Sequence, residues 1–293
     1  MPIKVGLALG GCGARGLAHI GILKVLEKEN IPIRQITGCS IGAIVGGAYA
    51  FLENANDVED FMIDLVTRQV FKDLNIEIFS SAKHNQLTSQ VDTYINNIKK
   101  YYSMLKTLKL PSIYDEKIFH KIFEPFPEMP LAELNLTFAT IATDLISGRE
   151  IVINEGSLRH AVMASAALPG IFPPVKSDNL LLNDGGASDS IPVQIVKGQG
   201  AQYVFAVDVT KSIDEIDELE TGLDIIYRSE EIVTYHLTQE RLAGADFIIK
   251  PDVGHYSWTA IKNIRDFILI GEQAAEKSIK AIHSILEGPL SKF

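Results

Sequence analysis

A serine between two glycines, at positions 38–42, is the first group in this sequence that could act as a nucleophile. Ser40 lies between an apolar segment typical of a strand and one typical of a helix. A Gly-x-Ser-x-Gly at such a turn exposes the serine hydroxyl at a helix N-terminus, which favours negative charge. We predict that Ser40 is the nucleophile and that Gly38 and Gly42 let strand and helix pack closely. The pentapeptide alone also fits an ordinary tight turn, so other motifs must decide.

Three aspartates end predicted strands, Asp144, Asp184 and Asp208, and the one followed by two glycines is the best candidate for the base. Asp184 ends an apolar predicted strand, and Gly185 and Gly186 allow a substrate or another main chain to approach closely. An exposed aspartate, with a pKa of about 3.9, is a poor base near neutral pH. Burial raises that pKa, so a Ser–Asp dyad is chemically reasonable if Asp184 is enclosed.

Histidine would be the more familiar base for a serine nucleophile. The sequence has seven histidines, mostly within or beside predicted helices, and only His255 lies in a loop that suits catalysis. A Ser-His-Asp esterase for small soluble esters therefore remains an alternative. A non-catalytic regulator that keeps the fold and binds a partner is a second alternative.

A glycine-rich loop follows the first predicted strand, residues 3–9. Its G-x-G-x-x-G pattern is also found in dinucleotide-binding proteins, but these need an acidic residue at the end of the second strand, and the predicted strand over residues 32–36 is followed by Thr37-Gly38-Cys39-Ser40. Main-chain N–H groups in such a loop can instead stabilise an oxyanion, and an arginine adds positive charge. The predicted oxyanion hole consists of Gly10, Gly11, Cys12, Gly13 and Arg15.

Composition limits the remaining choices. The chain has 293 residues, of which 46% are hydrophobic and 22% charged, as expected for a globular protein with a sizeable core. Its net charge of −10 argues against nucleic-acid binding. We find no signal-peptide pattern, no apolar run long enough to span a membrane and no metal-ligand spacing, so we expect a cytoplasmic protein without cofactor or metal. Two cysteines do not make a disulfide framework.

The order of predicted elements favours one α/β domain over residues 1–293, because no repeat or composition break divides the chain. Residues 72–112 are the least regular part and form a candidate cap or insertion. Within them, residues 86–110 predict a long helix with an apolar stripe. This helix could pack on the core, cover the site as a lid, or meet the inner membrane surface through four lysines: Lys99, Lys100, Lys106 and Lys109.

Taken in order, the glycine loop, the Ser40 turn and the Asp184-Gly185-Gly186 motif resemble the patatin-like phospholipase family. Residues 142–144 and 164–174 resemble it too. The resemblance implies a three-layer α/β/α sandwich with a mostly parallel central sheet. It also implies that Ser40 is the nucleophile and Asp184 the base of a metal-independent lipid acyl hydrolase.

The loop from Gly10 to Arg15 would supply the oxyanion hole of such an enzyme. Two departures from the family pattern stand out. Cys12 replaces a frequent glycine, and residues 187–190 differ from the Asn-rich version. A main-chain N–H survives the first change, so it affects the width of the loop more than its function.

Overall fold

The computed structural model describes residues 3–74, 106–216, 219 and 221–288. The strands of these segments are β1 (Val5–Leu9), β2 (Ile33–Cys39), β3 (Thr137–Asp144), β4 (Glu150–Ile153), β5 (Val175–Ser177), β6 (Leu180–Asp184), β7 (Tyr203–Val207) and β8 (Phe247–Ile249). Their α-helices are α1 (Ala18–Lys28), α2 (Ile41–Leu52), α3 (Ala55–Thr67), α4 (Gln69–Lys72), α5 (Glu116–Phe123), α6 (Leu158–Ser165), α7 (Val193–Gly198), α8 (Gly222–Arg241) and α9 (Ile264–Leu286).

The strands of the described segments form one mixed sheet in the order β5-β6-β3-β2-β1-β7-β8, with β4 also paired to β3. The five strands from β3 to β8 along this order run parallel. The short strands β4, β5 and β6 pair in antiparallel fashion. The prediction of a mostly parallel central sheet is confirmed.

Both faces of the sheet are covered. Along β1, Val5, Leu7 and Leu9 enter a large core, whereas Ala8 enters a smaller core on the opposite face. This alternation follows from the two-residue period of a strand. Helices α1, α2 and α9 contribute to the large core, and α7 to the smaller one, so the predicted three-layer α/β/α arrangement is confirmed.

Several predicted boundaries differ from the observed ones. The second strand, predicted to end at Ile36, continues to Cys39. The sequence predicts a helix over residues 57–70, whereas the observed α3 begins at Ala55 and ends at Thr67, because Arg68 has an extended ψ of 146°. Short elements β5, α5 and α7 had no prediction. Most of residues 72–112, including Lys99 and Lys100, lie outside the described residues.

None of the helices in the described segments is long and apolar enough to cross a membrane.

Helices α1 and α9 approach so closely that glycine is required at their contact. A Cβ atom at Gly271 would lie 2.0 Å from the carbonyl oxygen of Ala18, and one at Gly21 would lie 1.9 Å from that of Ile268. Main-chain atoms cannot move aside as a flexible side chain can. The contact fixes α1, the helix that follows the glycine loop.

We predict that Gly271→Ala destabilises the protein by about 1–3 kcal/mol, the usual cost of overpacking. Gly198→Ala is the matched control, because a Cβ atom at Gly198 meets nothing within 4 Å. Thermal or denaturant unfolding of both variants measures the difference. Equal stability of the two variants would show that α1 and α9 can separate without cost.

Candidate active site

The turn between β2 and α2 holds Ser40 in a strained conformation. Its φ of 53° and ψ of −120° lie outside the regions that L-residues ordinarily occupy, and such strain costs about 1–3 kcal/mol. The Ser40 N–H donates to the Oγ atom of Ser165, at 3.0 Å, from the end of α6. Ser40 itself is only 8% exposed. The turn thus aims its side chain away from the sheet while other elements fix its main chain.

Two glycines beside Ser40 have no room for a side chain. A Cβ atom at Gly42 would lie 2.1 Å from the carbonyl oxygen of Leu9, at the end of β1. One at Gly38 would lie 2.3 Å from the carbonyl oxygen of Gly42. The first turn of α2 therefore contacts the main chain of two strands. Any larger residue would push the Ser40 turn away from the glycine loop.

Strand β6 brings Asp184 to the level of Ser40 from the opposite direction. Cys39, the last residue of β2, pairs with Ile141 of β3, and the next residue of β3, Ala142, pairs with Asp184. Because β6 is antiparallel to β3, its carboxyl end reaches the edge of the sheet where β2 ends. The topology thereby joins two motifs that are 144 residues apart in the chain.

The Asp184 carboxyl group is buried and only half satisfied. Its Oδ1 atom accepts the Gly186 N–H at 2.8 Å, while Oδ2 has no hydrogen-bond partner of normal geometry among the described residues. Burial raises the pKa of Asp184 from its ordinary 3.8 to about 6, and the Ser40 hydroxyl and the Gly186 N–H oppose this rise. A carboxylate with that pKa is a far better base than an exposed one.

Contacts from β3 and α8 fix the loop that carries Asp184. The Thr143 hydroxyl bonds Ser188 Oγ at 2.8 Å and donates to the carbonyl oxygen of Asp184 at 3.2 Å. Arg241, from the end of α8, donates to the carbonyl oxygen of Ser188 at 3.1 Å. A Cβ atom at Gly185 would lie 2.4 Å from the carbonyl oxygen of Ile141, so the loop lies directly on β3.

In the glycine loop, two of the predicted oxyanion donors are already engaged. The Gly10 N–H donates to the carbonyl oxygen of Val207 and the Gly11 N–H to that of Ser190, at 3.2 and 2.9 Å. These bonds correct the prediction for both amides. No such bond is formed by the N–H groups of Cys12 and Gly13 within the described residues, and we restrict the oxyanion hole to these two.

The loop lies beside Ser40, and Arg15 fixes it from the other side. A Cβ atom at Gly11 would lie 3.1 Å from the Cβ atom of Ser40. The Arg15 guanidinium donates to the carbonyl oxygen of Tyr256 at 2.8 Å and to the Cys12 Sγ atom at 3.2 Å. Arg15 is 9% exposed. Its bonds therefore hold the loop in place, and the contribution of its positive charge to the oxyanion hole stays a prediction.

His19, which the sequence placed inside a helix without a role, reaches the same loop. Its Nε2 atom is 2.8 Å from the carbonyl oxygen of Gly10. Burial lowers the pKa of His19 to about 4, so the ring is neutral at physiological pH. A carbonyl oxygen can only accept, so Nε2 carries the proton. The other ring nitrogen, Nδ1, is buried without a partner in the described structure.

An apolar cavity of about 90 Å³ begins at Ser40. Ser40 provides the hydroxyl group of its lining, which otherwise consists of glycine, aliphatic, aromatic and Met side chains from the described residues. The deeper wall includes Met62, Leu65, Phe71 and Phe123. Such a lining excludes water and suits a hydrocarbon chain.

The other sequence candidates lie apart from this cavity or have structural partners. His255 lines a separate polar cleft with Lys211 and Lys250. Asp144 accepts hydrogen bonds from Ser147 and main-chain N–H groups, and these bonds lower its pKa to about 2. Asp208 pairs with Lys250 at 2.9 Å. Of the three strand-ending aspartates, Asp184 alone lies beside Ser40.

No group of three or more His, Cys, Asp or Glu side chains that could hold a metal occurs in the described part of the chain.

Sequence comparison identifies the family. The model of the patatin-like phospholipase family matches residues 7–197, and the chain therefore belongs to this family. It is 32% identical over 221 residues to lysophospholipase NTE1 of Yarrowia lipolytica, covering 74% of this chain and 13% of that protein. It is 29% identical over 227 residues to neuropathy target esterase sws of Drosophila melanogaster, covering 76% and 14%. The chain thus spans about an eighth of the length of these relatives.

A solved structure shows the same fold. The protein VipD from Legionella pneumophila superposes with a TM-score of 0.53 over 95% of this chain and 67% of that one, at 12% sequence identity.

The raised pKa of Asp184 predicts that Asp184→Asn stabilises the fold at neutral pH. A carboxyl group whose pKa rises from 3.8 to about 6 on folding costs about 3 kcal/mol once both states are ionised. The cost develops as pH rises from about 4 to 6, because the folded state holds its proton longer. Unfolding of both proteins at pH 4 and pH 8 measures it. A stability difference that stays constant with pH would contradict the burial effect.

Proposed function

We propose that this protein is a serine acyl hydrolase that cleaves carboxylic esters of lipids, as a phospholipase A or lysophospholipase. One observation carries the proposal: Ser40 lines an apolar cavity and lies beside the buried carboxyl group of Asp184. Family membership and the names of the two relatives, a lysophospholipase and an esterase, support the same class of substrate.

The reaction proceeds in two halves through an acyl-enzyme. Ser40 Oγ attacks the ester carbonyl carbon while Asp184 accepts its proton. The N–H groups of Cys12 and Gly13 stabilise the oxyanion, and the strained turn holds the nucleophile in position. Asp184 then returns the proton to the leaving alcohol. In the second half, water attacks acyl-Ser40, Asp184 takes its proton, and the fatty acid departs as Ser40 regains a proton.

The apolar cavity favours a lipid over a small soluble ester. A hydrocarbon chain buried there gains about 0.8 kcal/mol for each CH₂ group removed from water. A polar head would remain outside, because the cavity lining offers it no charged partner. Cytoplasmic location, peripheral contact with the inner membrane surface, and the role of residues 86–110 stay predictions.

The first test assays the purified protein on acyl esters of increasing chain length. We expect Ser40→Ala and Asp184→Asn each to lower kcat by several orders of magnitude, because the two residues act as one proton-transfer unit. Activity should rise with acyl length until the cavity is filled. A fluorophosphonate should label the wild-type protein at Ser40. It should not label the Ser40→Ala variant.

His255→Ala is the matched control, because His255 is the histidine that the sequence singled out and it lines the other cleft. This variant should keep substantial activity. Loss of activity equal to that of Ser40→Ala would favour the Ser-His-Asp esterase. A protein with no activity on any chain length, and with Ser40 unlabelled, would favour the non-catalytic regulator.

A second prediction concerns pH. Asp184 acts as a base only when ionised, so kcat/KM on a soluble ester should rise with pH through about 6 and level off above it. The profile below pH 8 is measured at fixed ionic strength, with unfolding checked at each pH. A midpoint near 4 would mean that the base is solvent-exposed. If the rise of kcat/KM with pH disappeared in His255→Ala, that histidine would be the base.

A further inference from the structure

We propose that His19 is a positioning residue of the oxyanion hole: its Nε2–H fixes the first peptide of the glycine loop so that the N–H groups of Cys12 and Gly13 face the ester. The inference rests on the proposed function, because it assigns a part of the same reaction. His19 makes no contact with Ser40 or Asp184 among the described hydrogen bonds, and it acts through the loop.

Both polar atoms of the Gly10–Gly11 peptide have a single, well-defined partner. Its carbonyl oxygen accepts from His19 Nε2 at 2.8 Å, and its N–H donates to the carbonyl oxygen of Ser190 at 2.9 Å. A peptide is planar, so two bonds on opposite sides determine its orientation. Glycine has the widest choice of conformations, and without such bonds this loop would have many alternatives.

The far end of the loop is held in the same way. The Ala14 N–H donates to the carbonyl oxygen of Trp258 at 2.7 Å, and Arg15 donates to that of Tyr256 at 2.8 Å. Between these anchors lie Cys12 and Gly13, the residues whose N–H groups we assign to the oxyanion. Within the described segments, His19 supplies the side-chain bond at the β1 end of the loop. Loss of that bond would free the peptide next to Cys12 to rotate.

The chemistry of the position argues that the hydrogen bond is the reason for the histidine. His19 is fully buried on α1, among residues such as Ile20, Ile22 and Leu23. An apolar side chain would fill the same space without leaving a buried ring nitrogen unpaired, as Nδ1 is. It would also leave the Gly10 carbonyl oxygen without its donor. The imidazole thus leaves its Nδ1 atom without a partner in the described structure, while its Nε2–H satisfies and orients the Gly10 carbonyl oxygen.

The same peptide links the oxyanion loop to the loop of the base. Ser190, which accepts the Gly11 N–H, lies six residues after Asp184 in the chain. Its hydroxyl bonds Thr238 of α8 at 2.6 Å, so this acceptor is itself fixed. A rotation of the Gly10–Gly11 peptide would therefore disturb the spacing between the oxyanion donors and Asp184. We expect a loss in kcat with a smaller change in KM, because Gly13 and Ala14 are the loop residues in the cavity lining and most of that lining comes from other segments.

Three variants of the full chain test the inference. His19→Gln places its amide nitrogen near the original Nε2 atom and should keep the bond. His19→Asn is also polar, but its side chain is too short for the amide nitrogen to reach the Gly10 carbonyl oxygen. His19→Leu has no donor. The assay measures kcat and KM on a soluble acyl ester, the rate of Ser40 labelling by a fluorophosphonate, and the thermal unfolding midpoint.

We expect His19→Asn and His19→Leu to lower kcat and the labelling rate by ~10- to 100-fold, less than the 10²- to 10³-fold loss of a deleted oxyanion donor. His19→Gln should keep most of both rates. Ile22→Val controls for destabilisation, because Ile22 is fully buried on the same helix and is not among the loop contacts. That variant should keep kcat even where its unfolding midpoint falls.

The outcomes separate the two proposals. Wild-type kcat in His19→Leu, or an equal loss in His19→Gln and His19→Asn, would overturn the positioning role while the proposed function stands. A loss of kcat that tracks the unfolding midpoint in all variants, Ile22→Val included, would also overturn it. A wild-type protein that neither hydrolyses the ester nor labels would overturn the proposed function, and this inference with it.

Discussion

Direct contact between main chains, without side chains between them, is the constraint on which the rest of this site depends. The first turn of α2 lies against the end of β1 at Gly42, and the glycine loop lies against Ser40 at Gly11. These approaches place Ser40, the proposed nucleophile, beside the loop that holds the N–H groups proposed to stabilise the oxyanion. They also explain why a strained serine persists, since the turn cannot relax without separating α2 from the sheet.

The site contains several unfavourable features that the fold must offset. Ser40 has a strained main chain, and among the described residues one oxygen of the buried Asp184 carboxyl group and one ring nitrogen of His19 have no hydrogen-bond partner. An unsatisfied buried polar atom costs about 1–3 kcal/mol. Extensive burial on the α1, α2 and α9 side of the sheet supplies the compensating stability. Such concentration of unfavourable groups is typical of a site selected for chemistry and not for stability.

Local sequence motifs predicted much of the fold and the candidate site, whereas features that depend on long-range contacts could not be predicted. The strands, the Ser40 turn and the choice of Asp184 follow from short patterns. The apolar run at residues 203–207, for example, predicts a strand, and the structure has β7 over Tyr203–Val207. By contrast, which amides of the glycine loop are free depends on Val207 and Ser190, far away in the chain. His19 was missed because a helical histidine gives no sign of its partner. The contact of Ser165 with Ser40 was also missed. The one sequence feature that could have pointed to Ser165 is its place in residues 164–174, which resemble the family.

The cavity and the core are built from the same side chains, which couples the proposed preference for an acyl chain to stability. Met62, Leu65, Ile122 and Phe123 line the cavity and are also at most 3% exposed members of the large core. A smaller residue at any of them enlarges the space for an acyl chain, but it also removes packing, and Leu→Ala in a core costs about 2–5 kcal/mol. A larger residue shortens the space and forces neighbouring helices apart. Changes of chain-length preference in this fold should therefore arise more readily where the wall is less buried, as at Phe71, which belongs to the partly buried margin of the core.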